Sequence, residues 1–203
     1  MKGIKTKDGT STFTMDPVGG NYQPIGIVLD YPPCAEGETV TVSAPGGTSS
    51  KAISVSGRGI SQLVVLNDSI VLEDGKSITV QWTPPATNAA NTRIFIMMDI
   101  SHHGGTKGKI EVECADNGSV TIPGTLIDQL KALGYFGFPK MEVTRRAVAR
   151  DTATNVELVF ESKVVKYLQI PGLISCNGDC AGYARVERFR PERLEIGVAS
   201  DGG

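Results

Sequence analysis

The chain's two histidines stand side by side in Ser101-His102-His103-Gly104-Gly105, just after the apolar run Ile94-Phe95-Ile96-Met97-Met98. Neighbouring residues on a strand point to opposite faces, so His102 and His103 can share one metal ion only where the chain turns, which Gly104-Gly105 permits. Zinc would need two more ligands, with Asp99 and Glu111 as candidates. Ordinary loop histidines are the plainer reading, and no cofactor is expected. A catalytic set built on Ser101 and Asp99 is weaker still, because no nucleophile-elbow phrase of the GxSxG type occurs. The leading expectation is therefore a protein without catalytic activity. A metal-dependent enzyme using His102 and His103 stands as the alternative.

Binding chemistry has a few further candidates. A sugar platform needs flat apolar rings exposed beside polar groups. Tyr135-Phe136-Gly137-Phe138 is the one aromatic cluster, so Tyr135, Phe136 and Phe138 are the candidate ligand-binding residues if solvent reaches them. The blander reading has Phe136 and Phe138 plugging the bottom of a sandwich. Asp116-Asn117-Gly118 and Asn177-Gly178-Asp179 could lend oxygens to calcium, but that ion takes about six to eight of them. Turns account for both. Four cysteines, Cys34, Cys114, Cys176 and Cys180, form an even count beside turns and strand ends. Three pairings are open to four cysteines. The loop Cys176-Asn177-Gly178-Asp179-Cys180 can close on itself because Gly178 permits a tight reversal, which leaves Cys34 to Cys114. Free thiols in a cytosolic protein are the alternative.

Composition narrows the class. With 203 residues, 40% hydrophobic and 21% charged, the chain can bury a core without help, and 24 dispersed glycines mark it as turn-rich. A formal charge of −2 argues against nucleic acid as a partner, since such binding rests on neutralising phosphates. The arginines at 185, 188, 190 and 193 alternate with glutamates and read as a solvated face. No apolar run is long enough to span a bilayer, and residues 1–9 lack the apolar core of a signal peptide. A secreted protein would therefore have lost its leader.

The elements that must position these residues read as strands. In Gly75 to Trp82, GKSITVQW, the residues Ile78, Val80 and Trp82 alternate onto one face before the stop Thr83-Pro84-Pro85. The same grammar predicts strands at Ser11–Met15, Ile25–Asp30, Thr39–Ala44, Ala52–Ser56, Gln62–Leu66, Ser77–Trp82, Arg93–Ile100, Lys109–Ala115, Ser119–Ile122, Lys140–Val148, Asn155–Ser162 and Val164–Ile170. Asp116-Asn117-Gly118 predicts that Lys109 to Ile122 is a hairpin. One helix is expected over Pro123–Leu133, crossing between sheets with Leu126, Ile127, Leu130 and Leu133 on its core face. The expected fold class is all-β: an immunoglobulin-like antiparallel β-sandwich with one short helix. Residues 1–60 read as a small or incomplete β module, 61–172 as the full sandwich, and 173–203 as an irregular tail with its cysteine loop.

Several phrases resemble those of a known group of proteins. Tyr31-Pro32-Pro33-Cys34, Thr39 to Gly47, Leu72 to Pro85, Val120-Thr121-Ile122-Pro123 and Pro171 to Cys176 look similar to Ig-like lipoproteins and secreted surface proteins of myxobacteria and related bacteria. The resemblance covers residues 26–180 and rests on strand and turn phrases, so it implies fold and location and carries no site residues. No lipobox is present. Together these readings predict an extracellular structural or adhesive module of a bacterial surface protein, at the outer membrane or secreted. Its partner would be a protein or glycan at the cell surface, with self-association through sheet edges open to such a fold. A carbohydrate-binding or other ligand-binding module is the second reading.

Overall fold

Period-two alternation governs how this chain folds, and a computed structural model describes residues 1–48, 51–87, 91–100, 108–135 and 138–172. The His102-His103 pair, Phe136, Cys176, Cys180 and the expected tail 173–203 lie outside the described residues. Among the described residues the fold is mostly β, with one short helix.

Five strands form the larger sheet. They are β5 (Ile70–Val71), β7 (Arg93–Asp99), β8 (Lys109–Ala115), β10 (Lys140–Asp151) and β11 (Val156–Gln169), in the order β5-β11-β10-β7-β8. All neighbours are antiparallel except β5 and β11, which run parallel. Facing this sheet is a smaller layer in which β6 (Ile78–Gln81) pairs with β9 (Ser119–Ile122), while Val65 bridges Trp82 on the other side of β6. Between the layers lies one apolar core. Ile78, Val80, Trp82 and Ile122 from the smaller layer meet Ile94, Ile96, Met98, Met141 and Val143 from the larger. Trp82 is buried on the face it shares with Ile78 and Val80, as its strand's alternation predicts.

The expected hairpin over Lys109 to Ile122 does not form. β8 pairs with β7 and β9 pairs with β6, so Asp116-Asn117-Gly118 carries the chain between layers. Gly118 adopts φ +102° there, and its carbonyl accepts the Trp82 amide at 2.9 Å. Asp116 is buried. The reason is chemical. Its carboxylate accepts the Trp82 indole N–H at 2.7 Å and the Arg145 Nε–H at 2.6 Å, so it serves the core rather than a solvent turn.

The helix α1 (Gly124–Ala132) crosses from β9 in the smaller layer to β10 in the larger, as expected. Its core face is narrower than the spacing predicts. Ile127 and Leu130 are buried, whereas Leu126 and Leu133 are exposed. The helix docks by one stripe: the Asp128 carboxylate accepts the Gly75 amide at 2.9 Å, and Lys131 donates to the Leu72 carbonyl at 3.2 Å and pairs with Asp74. That geometry leaves the flanks to solvent.

β11 is one strand where two were expected. It passes through Ser162 and Lys163 without a break because the Ser162 hydroxyl accepts the Leu63 amide at 2.9 Å while Lys163 turns outward toward Glu142. This makes β10–β11 a hairpin long enough to serve two cores. Its far half gives Ala147, Val156, Leu158 and Phe160 to a second apolar cluster with Ile4, Val40, Val42 and Val55. The last three belong to the antiparallel pair β3 (Thr39–Ala44) and β4 (Ile53–Arg58). β4 lies close on the hairpin at Gly57, where an added Cβ would stand 2.5 Å from the Phe160 ring.

The amino-terminal segment completes this smaller unit. Lys2 exchanges backbone hydrogen bonds with Thr41 at 2.8 and 2.9 Å, and the Phe13 amide donates to the Met1 carbonyl at 3.0 Å. The expected strand Ser11–Met15 reduces to a bridge at Thr12, and Ile25–Asp30 to a bridge at Leu29. Ile25 and Val28 are exposed, so among the described residues no second layer holds that segment flat. A short pair, β1 (Asp16–Val18) and β2 (Asn21–Gln23), lies wholly at the surface.

Candidate binding face

Consecutive arginines on β10 point opposite ways. Arg145 enters the interior, fully buried, where it donates to both Asp116 carboxylate oxygens, to the Ser61 and Gln62 carbonyls at 3.2 Å and to the Thr83 carbonyl at 2.7 Å. Its Nε, Nη1 and Nη2 all donate within the junction between the two cores, which suits a rigid, planar, five-donor group. Arg146 points out. Its guanidinium carbon sits 4.9 Å from the centre of the Phe95 ring and its Nε donates to Glu161 at 2.6 Å.

The outer face of the larger sheet holds a depression of about 380 Å³ around that arginine. Register builds it in rows. Glu113, Phe95, Thr144 and Lys163 form one row across β8, β7, β10 and β11, and Glu111, Met97 and Glu142 form the next. Phe95 and Met97 are half-buried and give an apolar floor. Around it most charges are paired: Lys140 donates to Glu142 at 2.6 Å, Lys163 stands 3.6 Å from Glu142, and Lys109 lies 2.7 Å from Glu111. The hydrogen bond from Lys140 holds the Glu142 carboxyl below its usual value, and the same bond holds the Lys140 ammonium above its own.

One polar group in this floor lacks a protein partner among the described residues. Thr144 is 8% exposed, and its hydroxyl has no hydrogen-bond partner among the described residues. Buried hydroxyls are ordinarily paired, and an unpaired one costs about 1–3 kcal/mol. Thr144 lines the depression.

The candidates named from the sequence fall differently. Phe138 is 61% exposed, so it does not plug the sandwich. Tyr135 packs against the main core. Phe138 stands instead at the end of the sheet where Tyr167, 62% exposed, pairs with Lys140, and the Leu168 amide donates to the Pro139 carbonyl at 2.9 Å. Among the described residues Cys34 and Cys114 are free thiols, and the expected disulfide between them is not formed in this structure. They belong to different clusters, Cys34 in the small core and Cys114 against the large one. Burial raises both thiols above their usual value and so keeps them protonated. Among the described residues no three His, Cys, Asp or Glu side chains are grouped to hold a metal ion.

Phe95, Thr144, Glu142, Arg146 and Glu161 were not singled out by sequence reasoning. A signal existed. Ile94 to Met98 is apolar at every position, which for an antiparallel strand means that its second face is also covered or used.

Among the described residues no helix is long and apolar enough to cross a membrane. No family model matches the chain, and no curated protein or solved structure matches it either.

Proposed function

We propose that this chain is a structural or adhesive module of a bacterial surface protein, working outside the cell through the outer face of its five-stranded sheet. The observation that carries the reading is the open depression on that face, with Phe95 and Met97 in its floor and Phe138 and Tyr167 exposed at the sheet's end. Apolar groups on an otherwise charged sheet face suit contact with a macromolecule. The strand order also fits an immunoglobulin-like sandwich: β6 and β9 oppose β5-β11-β10-β7-β8, with β5 parallel to β11 at the edge. Support for a surface location comes from the resemblance to secreted myxobacterial proteins.

Two measurements test this. Membrane-impermeant biotinylation of intact source cells should label the protein, and labelling only after lysis would exclude the surface location. Beads coated with the full chain should be retained on those cells, and Met97→Lys should abolish retention while Thr121→Lys, on the opposite layer, leaves it unchanged. Equal retention of both variants would remove the outer face from the account.

A carbohydrate-binding role is the second reading, favoured by the exposure of Phe138 and Tyr167.

A further inference from the structure

The Thr144 hydroxyl, buried without a hydrogen-bond partner among the described residues, is available to a ligand, and the groups around it limit what that ligand can be. Thr144 sits between Phe95 and Lys163 in one cross-sheet row, with Glu113 at the row's other end. Adjacent strands lie about 4.8 Å apart, so a group resting on Phe95 reaches both Glu113 and Thr144. The volume, about 380 Å³, falls at the small end of the roughly 300–1,000 Å³ of ligand clefts.

Charge decides among the ligand classes. An anion would face Glu111, Glu113, Glu142 and Glu161. A cation meets a ring whose favourable position is already held by the Arg146 guanidinium at 4.9 Å. Most of the carboxylates are paired with cations, so the depression offers alternating acceptors and donors with little net field. A neutral polyhydroxyl ring with one apolar face matches such a surface: carbon–hydrogen groups rest on Phe95 and Met97, hydroxyls donate to carboxylates and accept from Lys163, and one hydroxyl completes Thr144.

We infer that the outer-face depression is a binding site for one or two residues of a neutral glycan, with Phe95 as the platform and Thr144 as the buried polar anchor. This rests on the reading of the outer face as the contact surface, and names its partner. It differs from the aromatic cluster at residues 135–138, which lies at the sheet's end.

The test is titration of the full chain with cellohexaose, xylohexaose, mannohexaose and laminarihexaose, followed by calorimetry and by tryptophan-independent NMR line shifts. At least one should bind. Thr144→Val should weaken that binding about tenfold, the worth of one lost hydrogen bond, and Phe95→Ala should abolish it, while Thr121→Ala leaves it intact. Thr144→Val must melt no lower than the parent, which separates lost binding from lost folding. Binding that survives Thr144→Val and Phe95→Ala but is lost in Tyr167→Ala would overturn the inference. So would absence of binding to all four sugars at millimolar concentration. Binding of pentalysine that is lost in Glu113→Gln would overturn it in favour of a cationic peptide. In these failures, bead retention still lost in Met97→Lys would leave the adhesive reading standing, whereas retention unaffected by that change would end both.

Discussion

Asp116 is the residue on which the interior turns. One carboxylate receives the Trp82 indole and the Arg145 fork, and all three side chains are at most 1% exposed. A charge pair out of water persists only when its remaining donors and acceptors are matched, as Ser61, Gln62 and Thr83 match them here. Removing one partner strands the other. Arg145→Ala should therefore cost about 3–5 kcal/mol in urea unfolding, and a loss below about 1 kcal/mol would show that water reaches Asp116. Thr144 behaves in the opposite sense. Its hydroxyl is buried without a partner among the described residues, so Thr144→Val should leave the free energy of urea unfolding unchanged or raise it, by up to about 1–3 kcal/mol. A clear drop would mean that the hydroxyl is bonded in the free protein. Sequence alone reveals little of this: Asp116-Asn117-Gly118 carries the strongest short-range hairpin signal, and only the tertiary partner of Asp116 explains why it spans two layers instead.

At the scale of elements, β10 and β11 set the outer face by register. Lys140, Glu142 and Lys163 meet there across two strands. Glu142, whose ordinary value is 4.5, is depressed chiefly by the Lys140 hydrogen bond. Its contribution to stability is therefore present above about pH 4.5 and is lost as pH falls through its folded value. Lys140, ordinarily 10.5, is raised chiefly by the same bond. Its contribution is present below about pH 10.5 and is lost as pH rises through its folded value. Glu142→Gln should flatten the stability curve at both ends, measured as urea midpoint against pH, and curves that stay parallel across both windows would contradict the pairing. Strands β3, β8 and β9 were legible to the residue, because each alternates cleanly and is bounded by turn residues. The merged β11 was not. Ser162-Lys163 looks polar in sequence, and only Leu63 inside and Glu142 outside make it strand. The helix was legible in place and incompletely in face, since Leu126 and Leu133 satisfy helical spacing while nothing packs over them closely enough to bury them.

For the whole molecule, the long β10–β11 hairpin joins two cores that the amino-terminal strands could not close alone. The all-β class was readable from turn-bounded alternation. Sharing of one hairpin between two cores was not, because contacts such as Gly57 against the Phe160 ring span more than a hundred positions and leave no local pattern. The proposed contact surface was hidden for the same reason: Phe95, Thr144 and Glu113 come from three strands and converge only through register. Hydroxyl-radical footprinting of the full chain, free and bound to source cells, tests that surface most directly. Met97, Phe138 and Tyr167 should be protected on binding, while Tyr22 and Leu66, exposed elsewhere, should oxidise at their free rate. Protection of Tyr22 or Leu66 with Met97, Phe138 and Tyr167 unchanged would contradict the assignment of the five-stranded sheet's outer face as the contact surface.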